Sequence, residues 1–108
     1  MTIDQLRRRI DELDERLVEL LNERATCALQ IGEIKQVLGL EIYQPERESH
    51  VLGHVREHGR VTKGPLGPEA LTRLFERIID EARMLERRVV HDEVHGEGPA
   101  SPAPAPRD

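Results

Sequence analysis

The sequence has few aromatic residues, one cysteine and no long apolar run. Tryptophan is absent, and Tyr43 and Phe75 are the only tyrosine and phenylalanine. This composition disfavours a β-sandwich and favours helices built from Leu, Ile and Val. Cys27 cannot form an internal disulfide, and we expect a small buried hydrophobe at this position. Since no segment is continuously apolar, we expect no signal peptide, no membrane span and, by default, a cytoplasmic location.

The sequence also has no excess of positive charge. Its 108 residues include 16 Lys and Arg against 21 Asp and Glu, a formal net charge of −5. An acidic chain lacks the general basic surface that neutralises phosphates, which argues against a nucleic-acid binder. The five histidines follow no metal-ligand spacing, and no other motif indicates a metal or an organic cofactor.

The longest amphipathic segment runs from Thr2 to Leu38. Its apolar residues recur in steps of three and four, as on one face of a helix. They are Ile3, Leu6, Ile10, Leu13, Leu17, Leu20, Cys27, Ile31, Ile34 and Leu38. Thr2 and Gln5 have the form of a capping box, and Gly39 supplies a left-handed stop. A helix of about 36 residues would run ~54 Å, so it must protrude from a small monomer or be covered by another chain.

Two shorter helices are predicted after the long one. Pro45 suits the first turn of the second helix, which we expect to end near His58 because Gly59 follows. Pro68 begins the third, which fades between residues 90 and 95. The predicted fold is therefore all-α, with one very long, one short and one medium helix.

Residues 1–92 are predicted to form this single helical domain. The composition changes after it, because Gly, Pro, Ala and Ser dominate the end of the chain. Such a segment cannot bury a core, so residues 93–108 are predicted to be a disordered tail.

Charged residues interrupt the faces that should be apolar. They are Arg24 and Lys35 on the first helix, Arg47 and Glu48 on the second, and Glu86 on the third. Jointly they indicate a buried site for an anion. Arg7 also lies beside the first stripe, 28 residues before Lys35. Because that separation is ~42 Å along a helix, Arg7 can reach the same ligand only from a second, antiparallel copy.

Each of these charges also has a simpler structural interpretation. Arg24 suits a residue that fixes helix register, and Lys35 one that extends outward from the edge of the stripe. Arg7 lies in a run of three arginines that is typical of a solvated face. Arg47 and Glu48 suit ordinary first-turn residues. For Glu86, the simpler interpretation is a surface pair with Arg83 or Arg87.

Four segments in order along residues 3 to 90 carry a family resemblance. They are LRRRIDELDERLVELLNER, Lys35, IYQPERE at residues 42–48 and LTRLFERIIDEARMLE at residues 71–86. These segments resemble the all-helical chorismate mutase family, whose members are intertwined homodimers with antiparallel first helices. The resemblance implies a cofactor-free conversion of chorismate to prephenate, in two sites that each draw residues from both chains.

The resemblance also implies roles for individual residues. Arg24, and Arg7 of the partner subunit, would clamp the two carboxylates of chorismate, and Arg47 would add positive field. Lys35 would donate to the ether oxygen, and Glu86 would complete that contact. The residue types suit the reaction, since arginine forks bind carboxylates and a fixed donor stabilises charge that develops on the ether oxygen.

The resemblance implies that Glu48 would accept the ring hydroxyl of chorismate.

At three positions the sequence differs from residues that are common in the family. Gln44 stands where many members have Asp, a better N-cap. Ala82 stands where many have Ser, so one hydroxyl contact is lost. Glu86 is Gln in some members; a Glu must be protonated to donate, so activity should rise toward acid pH.

Two other functions use the same predicted fold. One is a lyase that releases pyruvate from isochorismate, although Glu48 suits the hydroxyl position of chorismate. The other is an inactive dimerisation or regulatory module, in which buried charges would be a disadvantage. The resemblance leaves open a regulatory partner enzyme of the shikimate pathway.

Overall fold

Three helices make up the part of the chain that the structure describes. The computed structural model describes residues 1–95, with side chains through residue 89. α1 spans Ile3–Leu38, α2 spans Pro45–Thr62 and α3 spans Pro68–His95. These bounds confirm the all-α prediction. The predicted boundary at residue 92 falls inside α3, and the tail from residue 96 lies outside the described residues.

The helices form a thin layer with α3 in the middle. α3 packs against both α1 and α2, whereas α1 and α2 make few contacts with each other. α2 and α3 are antiparallel, because Glu48 pairs with Arg83 while Arg56 pairs with Glu69. The layer measures 57 × 32 × 14 Å. Within residues 1–95, no helix combines the length and hydropathy that a membrane span requires.

Both ends of α1 carry the predicted caps. The Gln5 backbone N–H donates to Thr2 Oγ1 at 3.1 Å, and the Thr2 N–H donates to Gln5 Oε1 at 2.8 Å. At the other end Gly39 has φ of 72°, and the Leu40 N–H donates to the Lys35 carbonyl at 2.9 Å. The helix therefore begins and ends where local sequence directs it.

The prediction that Gly59 ends α2 is wrong. α2 continues to Thr62, and Lys63 takes the left-handed cap at φ 54°. Gly59 is buried instead, and a Cβ there would lie 2.5 Å from Leu71 Cδ1. This glycine therefore lets α2 approach α3 closely. At the start of α2, Gln44 makes no side-chain cap hydrogen bond, as expected of a weak N-cap.

The two halves of α1 have different surroundings. In the C-terminal half (residues 21–38), Ala28 and Gly32 are buried. In the N-terminal half (residues 3–20) every side chain is exposed, the apolar stripe included. Cys27, expected to be buried, is exposed, because no helix among the described residues covers that part of the stripe.

Candidate active site

A cavity of about 360 Å³ opens between the C-terminal half of α1, the start of α2 and the middle of α3. Its wall combines apolar side chains with four cations and two carboxylates. The lining residues are Arg24, Cys27, Ala28, Ile31, Lys35, Ile42, Gln44, Arg47, Glu48, Val51, Ile79, Ala82, Arg83 and Glu86. A concave, partly apolar site with convergent charged groups is the usual form of a small-molecule site.

Lys35 and Glu86 form a pair at the junction of α1 and α3. Lys35 Nζ donates to Glu86 Oε1 at 2.9 Å and to the Ile42 carbonyl at 2.9 Å. The two side chains are only 12% and 11% exposed. Gly32 makes room for them, since a Cβ at this position would lie 3.2 Å from Glu86 Cγ. Two of the three ammonium hydrogens are thus used, and the third remains for a ligand.

Glu48 and Arg83 form a second pair across α2 and α3. Arg83 Nε donates to Glu48 Oε2 at 3.1 Å, and Nη2 donates to Oε1 at 2.7 Å. This bidentate hydrogen bonding to Glu48 raises the pKa of the Arg83 guanidinium. Tyr43 covers the guanidinium, with 4.9 Å between Arg83 Cζ and the ring centroid. Tyr43 belongs to the link between α1 and α2, so this contact joins the link to the Glu48–Arg83 pair of α2 and α3.

Arg24 and Arg47 supply the remaining positive charge. Neither has a carboxylate within 4.0 Å among the side chains that the structure describes. Arg47 Nη1 lies 3.0 Å from His50 Nδ1. With four cations and two carboxylates, the cavity wall carries a formal charge of +2. This charge suits a ligand with two anionic groups.

The same region of the chain matches a known family. The family model of chorismate mutase type II matches residues 6–87, which include the whole cavity. This chain belongs to the chorismate mutase type II family. The bifunctional chorismate mutase/prephenate dehydratase of Pseudomonas aeruginosa is 45% identical over 87 residues, 76% of this chain and 23% of that protein. The chain spans about a quarter of the length of the bifunctional relatives it matches.

Solved chorismate mutase structures share the fold. The form II structure from Thermus thermophilus matches with a TM-score of 0.75 at 31% identity, covering 80% of this chain and 94% of that one. The Helicobacter pylori chorismate mutase, solved in complex with prephenate, matches with a TM-score of 0.74 at 30% identity, covering 83% and 94%. Both alignments cover nearly all of the solved chains.

The structure brings together seven of the eight site residues expected from the chorismate mutase resemblance. Arg24, Lys35, Gln44, Arg47, Glu48, Ala82 and Glu86 all line the cavity. Arg7 does not, because it lies on the exposed N-terminal half of α1. The interpretation of Lys35 and Glu86 as outward-facing surface residues is wrong, since they pair with each other in the protein.

Arg83 is the charged cavity residue that was not among the site residues predicted from the sequence. It was considered only as a surface partner for Glu86, whereas it binds Glu48. Its position carried a signal: Arg83 follows Ile79 by four residues and precedes Glu86 by three, so it shares their inward helical face. Among the described residues, no group of three or more His, Cys, Asp and Glu side chains forms a metal site.

Proposed function

We propose that this chain is a chorismate mutase that converts chorismate to prephenate, without a cofactor, in aromatic amino-acid biosynthesis. The observation that carries the proposal is the cavity wall: Arg24 and Arg47 lack carboxylate partners among the described side chains, and Lys35, which donates to Glu86 and to the Ile42 carbonyl, lines the same cavity. An inactive dimerisation module would gain stability by replacing such groups with apolar residues. A cytoplasmic location remains a prediction of the sequence.

The reaction is a rearrangement within one molecule, in which a C–O bond breaks while a C–C bond forms. The protein has two tasks. It must hold the enolpyruvyl arm folded over the ring, which costs conformational freedom, and it must stabilise negative charge on the ether oxygen. Arg24 and Arg47 suit the first task, because guanidinium forks fix carboxylates in one orientation.

Lys35 suits the second task. Its ammonium is oriented by Glu86 and by the Ile42 carbonyl, so its remaining hydrogen points in a fixed direction. A preorganised donor of this kind can stabilise a transition state by about 3 kcal/mol. Glu48 is proposed to accept the ring hydroxyl. Gln44 and Ala82 line the same cavity, and Ala82 can provide only an apolar contact.

Each site is proposed to include Arg7 of the partner subunit in an antiparallel homodimer. The exposed stripe on the N-terminal half of α1 supports this assembly, because contiguous apolar surface of this length is normally covered. Arg7 lies beside that stripe, so covering it with a partner's cavity region would bring the guanidinium toward Arg24. The name of the Pseudomonas aeruginosa relative joins chorismate mutase to prephenate dehydratase, which supports a partner enzyme of the same pathway.

The direct test is to incubate the purified chain with chorismate and to follow its loss and the appearance of prephenate. Lys35→Ala should abolish turnover while the circular dichroism spectrum stays helical. Isochorismate is assayed in parallel, and release of pyruvate from it with no loss of chorismate would replace the mutase by a lyase. No turnover of either substrate would indicate a non-catalytic module.

Subunit mixing tests the shared site. Arg7→Ala and Lys35→Ala should each be nearly inactive alone. A mixed dimer of the two variants has one intact site, because the Lys35 and the Arg7 of that site come from different chains. Unfolding and refolding an equal mixture should therefore restore about a quarter of the unsubstituted rate. No recovery, with mixed dimers demonstrated by mass, would contradict the shared site.

A further inference from the structure

Arg83 has an unusual position for an arginine in an anion-binding cavity. It lines the cavity with Arg24, Lys35 and Arg47, but its Nε and Nη2 groups both donate to Glu48. Both side chains of the pair are 24% exposed, so the pair is partly shielded from water. A bidentate pair in such surroundings has one defined geometry rather than many.

Glu48 would have other partners if Arg83 were absent. It stands one residue after Arg47, and both line the cavity with Arg24. A carboxylate that was free to rotate there would be attracted to these two guanidinium groups. It would then pair with the guanidinium groups that a dianionic substrate needs, and it would compete with the substrate for them.

The Arg83 fork leaves part of Glu48 available. It takes one lone-pair direction on each carboxylate oxygen, and a carboxylate has about four such sites. Tyr43 stacks on the guanidinium and restricts its movement. Glu48 can therefore be fixed and still accept one further hydrogen bond from a ligand.

We propose that Arg83 is a positioning residue that holds Glu48 away from Arg24 and Arg47 and orients it toward the ring hydroxyl of the substrate. This inference rests on the proposed function and adds a residue to it. It also explains how the site keeps a carboxylate in a cavity that binds an anion: each carboxylate has its own cation, Arg83 for Glu48 and Lys35 for Glu86.

The test compares steady-state kinetics of Arg83→Gln, Glu48→Gln and the double variant with chorismate. Arg83→Gln should raise KM by about 10- to 100-fold, with a smaller change in kcat, because the carboxylate of Glu48 would then compete with the substrate for Arg24 and Arg47. Adding Glu48→Gln removes that carboxylate, so the double variant should have a lower KM than Arg83→Gln alone. Arg77→Gln is the matched control, since Arg77 lies on the exposed side of α3 and pairs with Glu81.

Circular dichroism and thermal melts establish that each variant is folded. If Arg83→Gln is not, Arg83→Lys is used for the same comparison, because a lysine keeps the charge but loses the fork. Kinetics equal to those of Arg77→Gln, or losses that simply multiply in the double variant, would overturn the role of Arg83 while mutase activity stands. An unsubstituted protein that does not convert chorismate would overturn the proposed function as well.

Discussion

The two halves of α1 have the same apolar periodicity but different environments. In residues 21–38 the helix packs on α3, where Gly32 faces Glu86 and Lys35 reaches into the cavity. In residues 3–20 no described part of the same chain covers the helix, and Leu17 and Leu20 are 56% and 58% exposed. A stripe of this kind thus predicts that a face will be covered, but it does not tell which chain covers it.

The largest effect is expected from placing a charge on the stripe of the N-terminal half. Leu13→Asp would introduce a carboxylate where we propose that two copies pair, at a cost of about 3 kcal/mol per copy. The protein should lose its dimer, much of its helicity and all of its activity. Light scattering after gel filtration, circular dichroism and the chorismate assay measure these losses.

Asn22→Asp is the control for that experiment. It adds one carboxylate to α1 on the side away from the stripe, and so it should leave size and activity unchanged. If Leu13→Asp gives the same mass and rate as this control, the N-terminal half is not an interface and the two halves of α1 differ for another reason.

A smaller effect is expected where the C-terminal half contacts α3. In Gly32→Ala the new Cβ would lie 3.2 to 3.3 Å from three atoms of Glu86. The shift of a few tenths of an ångström that relieves this contact would misplace the Lys35–Glu86 pair and lower kcat by about ten-fold. The gain of about 1 kcal/mol in helix propensity should offset the crowding, so the melting temperature should change little.

Gly53→Ala is the matched substitution on open surface. Nothing lies within 4 Å of a Cβ at this position, so only the propensity gain of about 1 kcal/mol is expected, with no change in kcat. Equal kcat values for Gly32→Ala and Gly53→Ala would mean that the close approach at Gly32 does not position the cavity.

A modest change is expected from Glu86→Gln. The amide keeps an oxygen acceptor for Lys35 and adds an N–H donor that does not depend on pH. We expect kcat of the variant to fall by less than about ten-fold, because a neutral amide oxygen holds the Lys35 ammonium less strongly than a carboxylate does. The chorismate assay measures this change, and a kcat equal to that of the unsubstituted protein would mean that the charge of Glu86 is not needed to orient Lys35.

The smallest effect concerns the cap of the N-terminal half. Thr2→Ala removes the capping hydroxyl and should lower the free energy of unfolding by about 1 kcal/mol, as measured by urea denaturation. Thr26→Ala is the control, because the Thr26 hydroxyl bonds the Asn22 carbonyl within the helix and caps nothing. If Thr2→Ala has no effect, this end of α1 is not coupled to global unfolding.

Local chemistry made much of the fold predictable. The capping box at Thr2, the left-handed Gly39 and the proline starts of α2 and α3 act within a few residues, so the sequence suffices for them. Gly59 was misjudged because its role depends on Leu71, which is distant in sequence. The same reasoning applies to Cys27, whose exposure depends on what lies beside the helix.

The sequence predicted most of the residues that form the candidate site, but it did not predict which of these side chains bind each other. Charges on apolar faces drew attention to Arg24, Lys35 and Glu86, because burying an ion without a partner is costly. Pattern alone could not show that Glu48 binds Arg83 or that Lys35 binds Glu86. Those choices depend on the distances between helices, which only the assembled fold sets.

The 14 Å thickness of the layer has a consequence for how such a protein would behave in a cell. A layer only one helix deep leaves little interior, and among the residues whose burial the structure describes, Ala28 and Ile79 are the two buried apolar ones, which make a very small core. If two copies complete each pocket, dilution removes the pockets together with the fold. At low expression, activity would then rise more steeply than the concentration of the chain, since each working pocket requires an encounter between two chains.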